Sequence, residues 1–170
     1  MTAAVPAAAP RPPRFHRADW LDLGLAALIE DGPAGLTIEA MCRRAGKTKG
    51  SFYAHFATTE AFLVGLAERW RATTTDALIK ATERHDLAAR KLDYLNRLVA
   101  DLDPRLEQAM RRLALQDAAI APFITGVDRA RIDYLASLYA RTDRYTDTEA
   151  RALATVEYAA YLGLQQIAPD

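Results

Sequence analysis

The chain has 170 residues, 51% of them hydrophobic, with cations and acids balanced to a net charge of zero. That length suits one ordinary domain or two small ones sharing a core, and the neutral sum by itself gives no sign of a nucleic-acid partner. A single cysteine, Cys42, excludes an intrachain disulfide and a cysteine-rich metal site.

Residues 1–14 hold four of the eight prolines and almost nothing able to pack, so they read as a disordered tail carrying Arg11 and Arg14. From Arg17 onward the pattern is helical, and no run alternates at period two for long enough to make a strand. Trp20, Leu23, Ala27 and Leu28 stripe a first helix that Asp31-Gly32-Pro33 ends. Thr37 caps a second, with Ile38, Met41, Cys42 and Ala45 on one face and Gly46 closing it. Thr48 caps a third, whose Phe52 and Phe56 turn inward.

Thr59 opens a long fourth helix with the stripe Phe62, Leu66, Trp70, Ala77 and Ala81. A fifth shows Leu92, Leu95, Leu98, Val99 and Leu102. Asp103-Pro104 starts a sixth, with Leu106, Met110 and Leu113 inward. Pro122 marks the beginning or a kink of a seventh containing Phe123, Val127, Tyr134 and Leu138. Thr146 and Glu149 form a capping box for the eighth. The expected fold is all-α: a helix-turn-helix domain over residues 15–58, then a helical effector-binding and dimerisation domain over 59–170.

The charge distribution is informative where the sum is not. Between Ala40 and Thr59 there are four cations (Arg43, Arg44, Lys47, Lys49) and no acid, an electrostatic footprint suited to phosphate. A helix, a glycine turn and a short helix starting Thr-Lys is the arrangement that sets a helix end into the major groove. Gly50 leaves room for backbone to approach DNA, and Ser51, Tyr53 and His55 offer hydrogen-bonding groups on the outer side.

The stretch GLTIEAMCRRAGKTKGSFYAHF, within Trp20 to Trp70, resembles the DNA-binding domain of the TetR family of bacterial transcriptional regulators. The resemblance implies that Thr48, Lys49, Ser51, Tyr53 and His55 touch double-stranded DNA, with Lys49 able to reach a base; Thr37, Lys47, Gly50 and Thr59 complete the expected interface. Three positions depart from the family pattern. Lys47 stands where a small aliphatic residue is common, Ala54 where a second aromatic is common, and Thr59 where a lysine often opens the fourth helix.

The family further implies a homodimer on a palindromic operator, released by a small effector, typically as a repressor. Leu153, Val156, Ala160, Gly163 and Ile167 step along the last helix and are assigned to the dimer interface; an intramolecular seam is the other reading. Trp70, Tyr94, Met110, Phe123 and Tyr134 are the expected effector-pocket side chains, though a closed core needs the same types. A filled core would instead make this a constitutive or architectural DNA-binding protein.

No catalytic constellation is visible: His16, His55 and His85 are scattered, and no glycine loop cradles a phosphate. The expectation is a non-enzyme without metal or cofactor. No uncharged stretch approaches the ~18 residues of a membrane span, and no secretory signal is apparent. With one cysteine, these features predict a cytoplasmic protein without a membrane partner.

Overall fold

The computed structural model describes residues 15–167, so the tail expected over residues 1–14 lies outside the described residues. Among the described residues the regular structure is helical throughout. In chain order the helices are α1 (Arg17–Asp31), α2 (Ile38–Ala45), α3 (Lys49–Tyr53), α4 (Thr59–Arg71), α5 (Ala77–Thr82), α6 (Ala88–Ala100), α7 (Pro104–Gln116), α8 (Ala121–Ala140) and α9 (Asp147–Ile167).

Local chemistry sets most of the boundaries. Thr37, Thr48 and Thr58 each accept a backbone N–H from three residues on, at 3.3, 3.2 and 3.0 Å, satisfying donors that a helix start leaves unpaired. Gly46 closes α2 at φ +61°, a left-handed conformation that costs glycine nothing. Pro104 follows the Asp103 cap of α7, and Pro122 lies in the first turn of α8. At α9, Thr146 and Glu149 exchange bonds at 2.8 and 3.3 Å, the reciprocal capping box.

The N-terminal core is built on aromatic rings. Trp20 is fully buried and meets Phe15 and Phe52 edge-on at 5.0 and 5.2 Å. Phe56 and Phe62 each lie within 5.2 Å of Phe52. Edge-to-face geometry suits the ring quadrupoles and adds to the effect of burial. The same apolar cluster continues past Thr59 into Leu66 and Trp70 of α4, Met110 and Leu113 of α7, and Val127 of α8. A second cluster, around Leu95, Leu135, Leu138, Ala154 and Tyr158, joins α6, α8 and α9.

The expected fourth helix is interrupted. After α4 the chain makes a π turn over Ala72–Asp76, where the Ala77 N–H reaches the Ala72 carbonyl five residues back, and then resumes as α5. One residue inserted in the ladder advances the helix face by about 100°. The inward stripe therefore passes from Phe62, Leu66 and Trp70 to Thr75 and Thr82, while Ala77 is exposed. A strict 3.6-residue repeat places Ala77 and Ala81 inward; the π turn leaves Ala77 exposed and Ala81 half-buried.

Glycines govern how α1 meets α4. A Cβ on Gly24 would lie 2.7 Å from Leu66 and 2.8 Å from Phe62, and one on Gly65 would lie 2.8 Å from Arg17. The two helices thus cross at hydrogen-for-methyl distance, fixing the N-terminal domain onto α4. Gly24→Val is expected to destabilise the protein by about 1–3 kcal/mol through overpacking, read as a lower urea midpoint. An unchanged midpoint would mean that this crossing is loose.

Candidate nucleic-acid interface and interior cavity

Phe52 and Phe56 anchor α3 and the turn after it to the core, which directs the alternate residues outward. Thr48, Lys49, Gly50 and Tyr53 are exposed, Tyr53 by 49%. Gly50 has only the Thr48 hydroxyl near its missing Cβ, at 3.7 Å, so internal packing does not demand glycine there. Thr37 and Thr59 are also exposed. The hydroxyl that caps α4 is Thr58, not Thr59.

Several of the expected interface groups already have partners within the chain. The Lys49 ammonium pairs with the Glu39 carboxylate on α2. This bond holds Glu39 below the usual carboxylate range and Lys49 above its own, and both groups stand in solvent. Lys47 lies over the Phe15 ring at 5.7 Å, a cation–π contact that keeps it half-buried. His55 is turned inward, its Nε2 at 3.1 Å from the Phe15 carbonyl. Ser51 is half-buried. Arg44 folds back onto Glu30 and Asp31 at 2.6 and 2.7 Å, while Arg43 remains exposed. Cys42 is buried, and that burial pushes its thiol up, making it a poor nucleophile.

The dimer-interface set falls on one side of α9. Leu153, Val156, Ala160, Gly163 and Ile167 are all exposed, Val156 by 68% and Ile167 by 79%. The opposite face buries Ala150, Ala154, Tyr158 and Gln165. Nothing lies within 4 Å of where a Gly163 Cβ would stand. An intramolecular seam through these residues is therefore absent from the described chain.

The effector-pocket set fares differently. A cavity of about 390 Å³ lies among the π turn, α5, α6, α8 and α9, and Tyr134 is the one member of the set that lines it. Trp70 and Met110 are fully buried in the N-terminal cluster, and Phe123 packs against that cluster. The Tyr94 ring lies beside His85, tilted by 58° with centroids 4.4 Å apart. Trp70, Met110 and Phe123 go to the core, and much of the apolar wall of the space is aliphatic: Leu78, Ile79, Leu95, Val99, Leu135 and Leu164.

The polar part of the wall was not foreseen. Arg131 has a side chain only 12% exposed, and it lies over the Trp70 ring at 5.3 Å. It donates to Glu107 at 2.9 Å, to the Tyr158 hydroxyl at 3.1 Å, and to the Thr75 and Thr74 hydroxyls of the π turn at 2.9 and 3.1 Å. Arg111 bonds the other Glu107 oxygen at 2.8 Å and Asp128 at 2.5 Å. Burial works against both guanidinium charges; the carboxylates outweigh it, and both pKa values rise. Asp128 and Arg131 at i, i+3 among the apolar residues of α8, with a Thr-Thr-Thr run in mid-helix earlier in the chain, were the sequence signal available for this cluster.

Residues 21–66 match the family profile of the bacterial regulatory proteins, tetR family. No curated protein sequence matches the chain significantly. Among solved structures, E. coli NemR in its reduced form superposes with a TM-score of 0.75 at 22% identity, covering 90% of this chain and 87% of that one. A proposed transcriptional regulator from Pseudomonas aeruginosa PAO1 gives 0.71 at 18%, covering 90% and 80%. A proposed TetR-family regulator from Mesorhizobium loti gives 0.60 at 15%, covering 87% and 95%. These structures share the fold over both the N-terminal domain and the helices that follow. Over residues 21–66, the chain is similar to the tetR family of bacterial regulatory proteins.

Proposed function

We propose that the protein is a homodimeric repressor that binds a palindromic operator through α3 and its flanks and is released by a small amphipathic effector in the interior cavity. The observation that carries this reading is the division of faces. The aromatic core side of α3 is sealed, its Lys49–Tyr53 side is open, and the apolar stripe of α9 has no partner within the described chain. The cavity favours an effector-responsive protein over the filled-core alternative.

In this reading Lys49 and Tyr53 contact DNA directly, with Thr37, Thr48, Gly50, Ser51 and Thr59 along the phosphates. Lys49 must exchange Glu39 for DNA when it binds, so the ion pair competes with the operator. Lys47 reaches phosphate from above the Phe15 ring. His55 supports the interface chiefly by tying its turn to the Phe15 carbonyl.

Lys49→Ala and Tyr53→Ala are each expected to weaken operator binding without loss of fold, and Lys49→Ala should lower the salt slope by about 0.9. Glu39→Gln should tighten binding. His55→Ala should act mainly on stability, costing about 1 kcal/mol for the lost hydrogen bond. The site itself is found by selection from random DNA, and half-sites should recur about 34–36 Å apart. Binding of Lys49→Ala and Tyr53→Ala equal to the parent's at every salt concentration would refute this use of α3.

The α9 stripe is the proposed dimer face. Val156→Glu places a charge in the middle of it without touching the core, so sedimentation should show a folded monomer. Gly163→Leu should do the same, since the single chain has room for the larger side chain. Intact dimers from both variants would move the interface elsewhere.

A further inference from the structure

The charges in the cavity wall do not cancel. Two ionised side chains line it, Arg131 and Glu157. Arg131 is matched by Glu107 at 2.9 Å, and the adjoining Arg111 is matched by Glu107 and Asp128. Glu157 belongs to none of the ion pairs among the described residues. Its carboxylate instead accepts from the Tyr139 hydroxyl, which is neutral.

Three other acids beyond α4 are paired with cations. Glu83 holds Lys91 at 2.5 Å and Arg141 at 3.4 Å, Asp76 holds Arg71 at 3.4 Å, and Asp133 holds Arg151. The rest of the wall is uncharged. Tyr134, Tyr158 and Tyr161 line it, and burial pushes their hydroxyls up, so they stay protonated. The Tyr158 and Tyr161 rings stack at 6.1 Å with 24° between their planes; the Arg131 guanidinium lies over the Tyr158 ring at 5.9 Å, which leaves Tyr134 and Tyr161 as the other rings lining the cavity with Glu157.

An unmatched carboxylate at the edge of a low-dielectric cavity is stabilised by an opposite charge, and tyrosine faces attract cations independently. An anionic head would face Glu157 and would find Arg131 already taken by Glu107. We propose that the cavity selects an organic cation: an apolar body against Leu78, Leu95, Val99 and Leu135, with one ammonium-type head set between Glu157 and the tyrosine rings. This rests on the reading of the cavity as the effector site and adds the charge of the effector.

Three probes on one naphthalene body isolate the head group: 1-naphthylmethylamine, a cation at neutral pH, 1-naphthylmethanol and 1-naphthylacetate. Each is titrated calorimetrically into the full chain at pH 7. The amine is expected to bind about tenfold more tightly than the alcohol, as a charge-assisted contact allows, and the acetate most weakly. Glu157→Gln keeps an acceptor for Tyr139 and should bring the amine-to-alcohol ratio towards one, with the thermal midpoint of the free protein reporting that it still folds.

An acetate affinity equal to the amine's overturns the proposal, as does an amine preference that survives in Glu157→Gln. Should the alcohol bind while the amine gains nothing, the charge preference alone falls and the ligand site stands. Should none of the three bind, the ligand site and the preference fall together.

Discussion

Arg131 carries a full positive charge into the interior, and the packing of the helices around it answers the need to match that charge. Its partners come from the π turn, from α7 through Glu107 and from α9 through Tyr158. Glu107 in turn faces Arg111, whose second carboxylate partner is Asp128. A buried pair of this kind adds little net stability, because desolvation offsets the attraction, yet leaving one member alone costs about 3–5 kcal/mol. The consequence is selection among packings. Any arrangement of α7, α8 and α9 that separates Glu107 from Arg131 is penalised, and so is one that withdraws the Thr74 and Thr75 hydroxyls. The π turn belongs to the same solution, since it brings Thr75 inward where the regular repeat would bring Thr74.

That cluster stands between the two ends of the molecule. On one side it forms part of the cavity wall; on the other it grips the segment that continues into α4. Gly24 and Gly65 let α1 and α4 approach until their side chains interlock, and Phe62 extends the aromatic core of the N-terminal domain into α4. The N-terminal domain and α4 are therefore packed together as one unit. α4 has 13 residues, or about 20 Å of helix, so a few degrees of tilt at the π turn shifts its Thr59 end by an ångström or more. For the proposed regulator, the stretch between Trp70 and Ala77 is where a change in the cavity meets the lever that carries α3.

Much of this was legible from residue types. The caps at Thr37, Thr48 and Thr146, the glycine stop at Gly46 and the Asp103-Pro104 start are local chemistry, and local chemistry is readable without neighbours. The outward stripe of α9 was equally legible, because apolar residues stepping by three and four beside the buried series make two faces, only one of which the chain can cover. The cavity was not legible. Trp70, Met110 and Phe123 are apolar and periodic, and a linear pattern does not separate a side chain that fills the core from one that borders a void. That distinction depends on which helices meet at each level. The π turn was hidden for a related reason, since it replaces one regular ladder by another with a single residue added. Partners such as Glu39 for Lys49, or the Phe15 carbonyl for His55, are likewise contacts between separate elements that exposed-looking residue types conceal.

The two proposed sites of the C-terminal half are not independent. Ala160 belongs to the exposed stripe of α9 and also lines the cavity, and Leu164, one turn on, is exposed by 58% while lining the same space. A partner helix laid on that stripe would cover one side of the cavity, and an occupant of the cavity would press against the helix that the partner grips. Ligand and partner then share α9 as a common wall, and each changes the apolar area that the other removes from water. Any such coupling is reciprocal by linkage: an effector that alters dimerisation must bind the dimer and the monomer with affinities that differ by the same factor. In the proposed dimer the distance between two α3 helices would be set at that junction, so the cavity, the dimer face and the spacing of the DNA contacts would all depend on the packing of one helix.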